Sequence, residues 1–233
     1  IREIVEAAHL DNLHIGDGGA VVMDFLKNQV IEKHILPSDE VVRMIQLFQE
    51  AHVNVELYTV DGYYIEDVSV SEITKIHTAI LRRDPIIVPS LLEASKTLEV
   101  VKVMPVAWDE KDKEKIIQLF QDSKSPLSLQ WGVHPTALPL QFGLLTLPGI
   151  SKKQAAMTIS KNTGVPLIET LGIGDGMTDW NFMEICGYAG AMGNGSAELK
   201  VKVITKGDNG YVGTSVNENG VLDVLKHFDV LKE

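Results

Sequence analysis

The stretch Gly172-Ile173-Gly174-Asp175-Gly176-Met177-Thr178-Asp179 follows an apolar run and precedes the helical pattern of Trp180 to Cys186. Two carboxylates therefore stand where a strand is expected to end and a helix to begin. A hard divalent cation takes oxygen ligands, and glycines let the backbone turn without side-chain clashes, so the loop suits Mg2+ held by Asp175 and Asp179. Upstream, Ser151-Lys152-Lys153-Gln154 has the form of a capping box and makes Lys152 the first residue of a helix. Lys152 shares a helix face with Ala155, Ala156 and Ile159, whereas Lys161 faces elsewhere. An inward lysine beside a free helix N-terminus can neutralise a phosphate. Metal-assisted phosphate chemistry is the reaction these residues could perform together.

Each residue also has a plainer reading. Acids in a first helical turn complement the helix dipole without any metal, and Thr178 is a candidate cap. A lysine stem can run along a core while its ammonium reaches water. Asp17-Gly18-Gly19 taken alone is a turn. The glycines at 172, 174 and 176 are spaced G-x-G-x-G, one place short of the dinucleotide fingerprint, and an aspartate inside that cradle repels a pyrophosphate. The sequence contains no Walker A motif, H-E-x-x-H pair or G-x-S-x-G elbow, and its seven histidines lack metal-ligand spacing. Cys186, the single cysteine, lies on an apolar helical stripe and reads as an inert buried thiol.

The 233 residues can bury one large core or two modest ones, and 45% apolar with 23% charged residues is ordinary for a globular protein. A formal charge of -11 opposes a polyanion, so nucleic acid is excluded as a partner while a small phosphorylated metabolite is not. No apolar run approaches bilayer length and the opening residues lack a secretory layout, which predicts a cytoplasmic protein with no membrane partner.

Several elements must position these groups. Residues 20–25 and 29–35 read as a hairpin around Lys27-Asn28, and helical spacing of Val41, Val42, Ile45, Leu47 and Phe48 runs on to His52. Asp61-Gly62 predicts a type I′ turn between strands at 55–59 and 63–65. Helix 72–82, strand 98–104, helix 110–121 and strand 127–133 follow. Alternation of Leu127, Leu129, Trp131 and Val133 with polar or small residues predicts a sheet with one buried and one open face. The charge run 109–115 is a solvated helix start. From Phe142 the pattern becomes strand, helix, strand, helix, as in a parallel sheet covered on both faces. Segments 1–35 and 142–233 are expected to share that sheet, with 36–141 inserted as its own α+β unit.

Ile150-Ser151-Lys152, Gly174-Asp175-Gly176-Met177-Thr178-Asp179 and Ala191-Met192-Gly193-Asn194-Gly195 occur in one order. Together with Leu57-Tyr58-Thr59, Tyr63-Tyr64-Ile65 and Asn217-Glu218-Asn219-Gly220-Val221, they resemble the haloacid dehalogenase superfamily, specifically its Cof-type phosphatases. The resemblance implies an α/β fold: a Rossmann-like parallel-sheet core made of 1–35 and 142–233, with 36–141 as an inserted α+β cap. It implies a Mg2+-dependent phosphatase of small phosphorylated metabolites. Lys152 matches the phosphate-stabilising lysine, Asp175 and Asp179 the metal-holding acids, and Thr178 and Asn194 substrate-binding positions, Asn194 standing with Gly193 on a loop that borders the site.

The chain departs from that family at Thr178, where asparagine is usual, at Lys153, where glycine is usual, and at Gly18, where asparagine is usual. The family's nucleophile lies in an Asp-x-Asp-Gly motif on its first strand, and its threonine or serine motif on the second. Neither motif occurs before Asp17. The resemblance therefore places the nucleophile upstream of Ile1, about 30 or more residues earlier, and implies that these residues alone do not turn over substrate. In the intact family one aspartate attacks phosphorus, a second protonates the leaving oxygen, and water releases phosphate. The rival reading is a catalytically inactive binding or regulatory protein on the same scaffold. A cation-pump phosphorylation domain shares the acidic loop but needs an Asp-Lys-Thr-Gly sequence that is absent here.

Overall fold

The computed structural model describes residues 2–231 and divides the chain into two compact units, residues 1–150 and 151–233. The first unit opens with α1 (Arg2–Ala7) and a small antiparallel sheet of β1 (His14–Gly16), β2 (Val21–Asp24) and β3 (Gln29–Lys33). The expected hairpin forms between β2 and β3. Asp24, buried at the end of β2, closes its turn by accepting from the Lys27 amide at 3.0 Å and the Lys27 ammonium at 2.8 Å.

α2 (Ser38–Glu50), β4 (Asn54–Tyr58), β5 (Tyr63–Glu66), α3 (Glu72–Leu81), β6 (Ile86–Val88), α4 (Leu91–Ser95), β7 (Lys102–Ala107), α5 (Glu110–Ser123), β8 (Ser128–Val133) and β9 (Gln141–Thr146) complete this unit. Their strands form one sheet in the order β6-β5-β4-β7-β9-β8. The period-2 alternation of strands sends Val55, Leu57, Val103 and Leu145 to one face, where they meet Val41, Met44, Ile45 and Phe48 of α2. The i, i+3, i+4, i+7 spacing of those four residues is what makes α2 bury a single stripe. Tyr58, Met104, Val106 and Phe142 point to the other face, which packs with Ala20, Val21 and Met23 and with Ile73 of α3.

Four expectations are corrected here. The sheet is buried on both faces at its centre, because β8, whose alternation suggested an open face, is only its edge strand. The Asp61-Gly62 hairpin forms, but neither residue has a positive φ. Its turn is closed instead by the Thr59 amide donating to the Gly62 carbonyl at 2.9 Å and the Asp61 amide donating to Thr59 Oγ1 at 3.2 Å. Residues 141–146 begin no parallel sheet: β9 pairs antiparallel with β7 and β8. Nor do β1–β3 pair with later strands among the described residues. A strand's hydrophobicity does not encode its partner, and that choice is made by tertiary packing.

The second unit holds α6 (Lys152–Thr163), β10 (Leu171–Gly174), α7 (Met177–Met183), β11 (Tyr188–Ala191), α8 (Ala197–Ile204), β12 (Gly210–Val212) and α9 (Gly220–His227). β10, β11 and β12 form a parallel sheet in that order, so the expected alternation of strand and helix begins in earnest at Leu171. Met183, Ala189, Ala191, Leu199 and Val203 make its core, and Cys186 is buried as anticipated. Among the described residues no helix is long and apolar enough to cross a membrane.

Phe48 is fully buried at the C-terminal end of the α2 stripe. Phe48→Ala is expected to lower the stability of the first unit by about 3–5 kcal/mol through lost burial and a residual cavity. Urea unfolding followed by circular dichroism measures it.

Candidate functional site

All five candidate residues belong to the second unit. Ser151 caps α6, its Oγ accepting from the Gln154 amide at 3.2 Å, and Lys152 is the first helical residue as the capping pattern predicts. Ala155 is buried on the same stripe. Lys152 Nζ lies 2.6 Å from Asp179 Oδ1. Asp179 Oδ2 accepts from the amides of Asp175 at 3.1 Å and Gly176 at 3.2 Å. Sequence spacing of 27 residues thus collapses into one contact between the starts of α6 and α7.

The cap of α7 is Gly176, not Thr178. Asp179, third in the helix, folds back to accept from the Gly176 amide, the part that a third-residue glutamate or glutamine plays in a capping box. Thr178 is exposed, and its hydroxyl bonds to no described residue. The glycines matter for a different reason from the one expected. None of Gly172, Gly174 and Gly176 has a positive φ. A Cβ on Gly174 would stand 2.4 Å from the Asp179 Cβ, and one on Gly172 would stand 3.0 Å from the Met183 backbone. Lack of a side chain, not freedom to turn, is what position 174 requires.

The electrostatics follow from partial burial. Asp179's side chain is 12% exposed and that of Lys152 43%, so the ammonium keeps an open side while the acid is mostly enclosed. Burial raises the Asp179 pKa, but the Lys152 hydrogen bond, the Lys152 charge and the two loop amides together outweigh it and hold the carboxyl below its ordinary value. Asp175 is exposed, and no described side chain pairs with its carboxylate. Among the described residues no group of three or more His, Cys, Asp or Glu side chains gathers as a ready-made metal cage. A cation here would have Asp175 as its protein carboxylate and take its remaining oxygens from water and substrate, a donor set that fits Mg2+. Asp179, expected to share that cation, has both oxygens engaged within the protein.

Asn194 lies on the loop after β11 and is exposed, but its Oδ1 accepts from the Val216 amide at 2.8 Å. That loop is pinned beside the acidic one: the Ser196 amide donates to the Asp175 carbonyl at 2.8 Å and the Met192 amide to the Gly174 carbonyl at 2.9 Å. Lys200 Nζ donates to the Gly193 carbonyl, a contact the sequence did not signal. Lys153 turns away from Lys152 and pairs with Glu184 at 2.7 Å, which explains how a lysine is accommodated where glycine is usual. A separate cavity of about 320 Å³, lined chiefly by Met192, Val216, Val221, Leu222 and Leu225, is apolar and includes none of Lys152, Asp175 or Asp179.

The profile of haloacid dehalogenase-like hydrolases matches residues 1–225, and the chain belongs to that family. A protein of Streptococcus pyogenes serotype M6, named as a candidate phosphatase, is 28% identical over 211 residues, which span 90% of this chain and 76% of that protein. The fold resembles a sugar phosphatase of haloacid dehalogenase subclass IIB with a TM-score of 0.76 and 22% identity, covering 98% of this chain and 80% of that one. It also resembles a haloacid dehalogenase-like hydrolase from Bacteroides thetaiotaomicron with a TM-score of 0.81 and 18% identity, covering 99% and 83%.

Because the folded Asp179 carboxyl titrates below the unfolded one, its contribution to stability is complete above the ordinary value of 3.8 and is lost as pH falls below it. Asp179→Asn is expected to cost about 2 kcal/mol or more near neutrality, since Lys152 loses its counter-charge. The same substitution should flatten the acid limb of the stability profile. Urea midpoints across the acid range, compared between parent and variant, provide the check.

Proposed function

We propose that this chain carries the phosphate-stabilising half of a Mg2+-dependent phosphoric monoester hydrolase acting on small phosphorylated metabolites. The observation that carries the reading is the Lys152 ammonium held 2.6 Å from Asp179 at the start of α6, in the same loop system as the unpaired Asp175. Family membership supports it, as do the names of the Streptococcus relative and of the subclass IIB sugar phosphatase.

In this reading Asp175 holds Mg2+, which when bound supplies positive charge to the phosphoryl oxygens. Lys152 offers its open side to the same oxygens, and Asp179 keeps that ammonium in place and fixes the loop amides around it. Thr178 and Asn194 border the substrate. The nucleophilic aspartate belongs to a segment upstream of Ile1: it displaces the alcohol from phosphorus, and water then frees the phosphate. Segments 1–35 and 151–233 serve as the core, and 36–150, which holds the whole six-stranded sheet including β9, as the cap that selects the substrate. The protein works in the cytoplasm, with no nucleic acid or membrane partner.

The test uses the protein extended by its upstream coding sequence. Hydrolysis of p-nitrophenyl phosphate is expected, with loss on EDTA treatment and recovery on adding Mg2+. Asp175→Ala should abolish it, and Lys152→Met should lower kcat/KM by about 100-fold or more. A folded extended protein that binds phosphate esters without hydrolysing them would favour the inactive binding protein instead.

A further inference from the structure

A second set of polar side chains, none of them used above, meets inside residues 1–150. Lys102 Nζ on β7 lies 2.8 Å from Asp17 Oδ1, in the turn after β1, and 3.5 Å from the centre of the Tyr58 ring on β4. The Tyr58 hydroxyl donates to Glu56 Oε2 at 2.7 Å, and Glu56 Oε1 is 2.8 Å from His77 Nδ1 on α3. Glu56, His77, Lys102 and Tyr58 are 3%, 4%, 5% and 7% exposed, so solvent cannot replace any of these partners. Aromatic rings enclose them: Tyr63 stacks on Tyr58 at 5.5 Å, and Phe142 lies 4.6 Å from the His77 ring.

Buried charges are costly unless each is paired, and here the pairing runs in series through separate elements. Asp17 sits on a turn, Lys102, Tyr58 and Glu56 on two adjacent strands, and His77 on a helix. Burial, together with the Glu56 and Asp17 charges, pushes the Tyr58 pKa well above the ordinary tyrosine value, so its hydroxyl remains a donor. Loss of a middle member leaves a partner unsatisfied on each side, which is how a hydrogen-bonded series transmits a change. Asp17 and Gly18 have φ values of 50° and 71°, a left-handed turn that aspartate and glycine both accept, and Asp17 points its carboxylate from that turn to Lys102.

We propose that Asp17, Lys102, Tyr58, Glu56 and His77 form one latch that couples the 17–19 turn to α3 over one face of the six-stranded sheet, so that the two loosen together. The turn belongs to segment 1–35 and α3 to segment 36–150, which holds the six-stranded sheet. The latch therefore spans the boundary drawn between core and cap in the proposed function, although the contacts themselves do not depend on that reading.

Amide hydrogen exchange on the 233-residue chain tests this without any assay of phosphate hydrolysis, so its failure and that of the phosphatase reading are distinguishable. Lys102→Met is expected to speed exchange about tenfold or more both at residues 17–24 and in α3, while β4, β7 and β9 stay protected. Tyr58→Phe keeps the ring over the ammonium and deletes only the hydroxyl link. It should loosen α3 alone, and on that background Lys102→Met should no longer reach α3. Should Lys102→Met fail to fold, Asp17→Asn leaves every sheet residue in place and must loosen α3 as well as the turn. Faster exchange confined to the turn, or spread evenly over the whole sheet, would overturn the latch.

Discussion

One carboxylate, that of Asp179, settles the arrangement of the second unit's polar edge. It ends the β10 loop by accepting two consecutive amides, starts α7 by capping it, and neutralises the first residue of α6. Three backbone or side-chain donors converge on two oxygens in a mostly enclosed position. That concentration makes the acid expensive to remove, because two loop amides lose their acceptor and the Lys152 ammonium its counter-charge at once. The geometry also explains a glycine: any side chain at 174 would occupy the space of the Asp179 side chain.

A consequence follows for charge. The chain is strongly acidic overall, yet Lys152 presents an ammonium with an open side at a point where two backbone amides are also fixed. Its counter-ion lies on the enclosed side, so the positive end faces outward. A small anion meets that local field, whereas a long polyanion meets the net charge of the whole surface. A proposed phosphate-ester substrate and the proposed absence of a nucleic-acid partner are thus electrostatically compatible in one molecule.

The first unit uses buried polar groups differently. There the Asp17 to His77 series lies between apolar layers on a sheet covered on both faces, and its members satisfy one another. Departures from the resembled family are absorbed locally. Lys153 finds Glu184, and Gly18 occupies a left-handed conformation that asparagine also tolerates.

Much of the local structure was readable in the sequence, although the turn type at Asp61-Gly62 and the cap of α7 were not. The capping serine before Lys152, the amphipathic stripe of α2, the hairpin at Asn28 and the acidic loop before α7 follow from spacing and residue type, because each depends on neighbours within a few positions. Tertiary structure alone decided the rest. Whether β9 joins an antiparallel or a parallel sheet depends on which strand lies beside it, and alternation carries no such information. The cap of α7 passed from Thr178 to Gly176 because a side chain three residues later reached back. Lys152 met Asp179, and His77 met Glu56, through packing of elements far apart in the chain, and a single sequence records the residues of such a contact but not the distance between them.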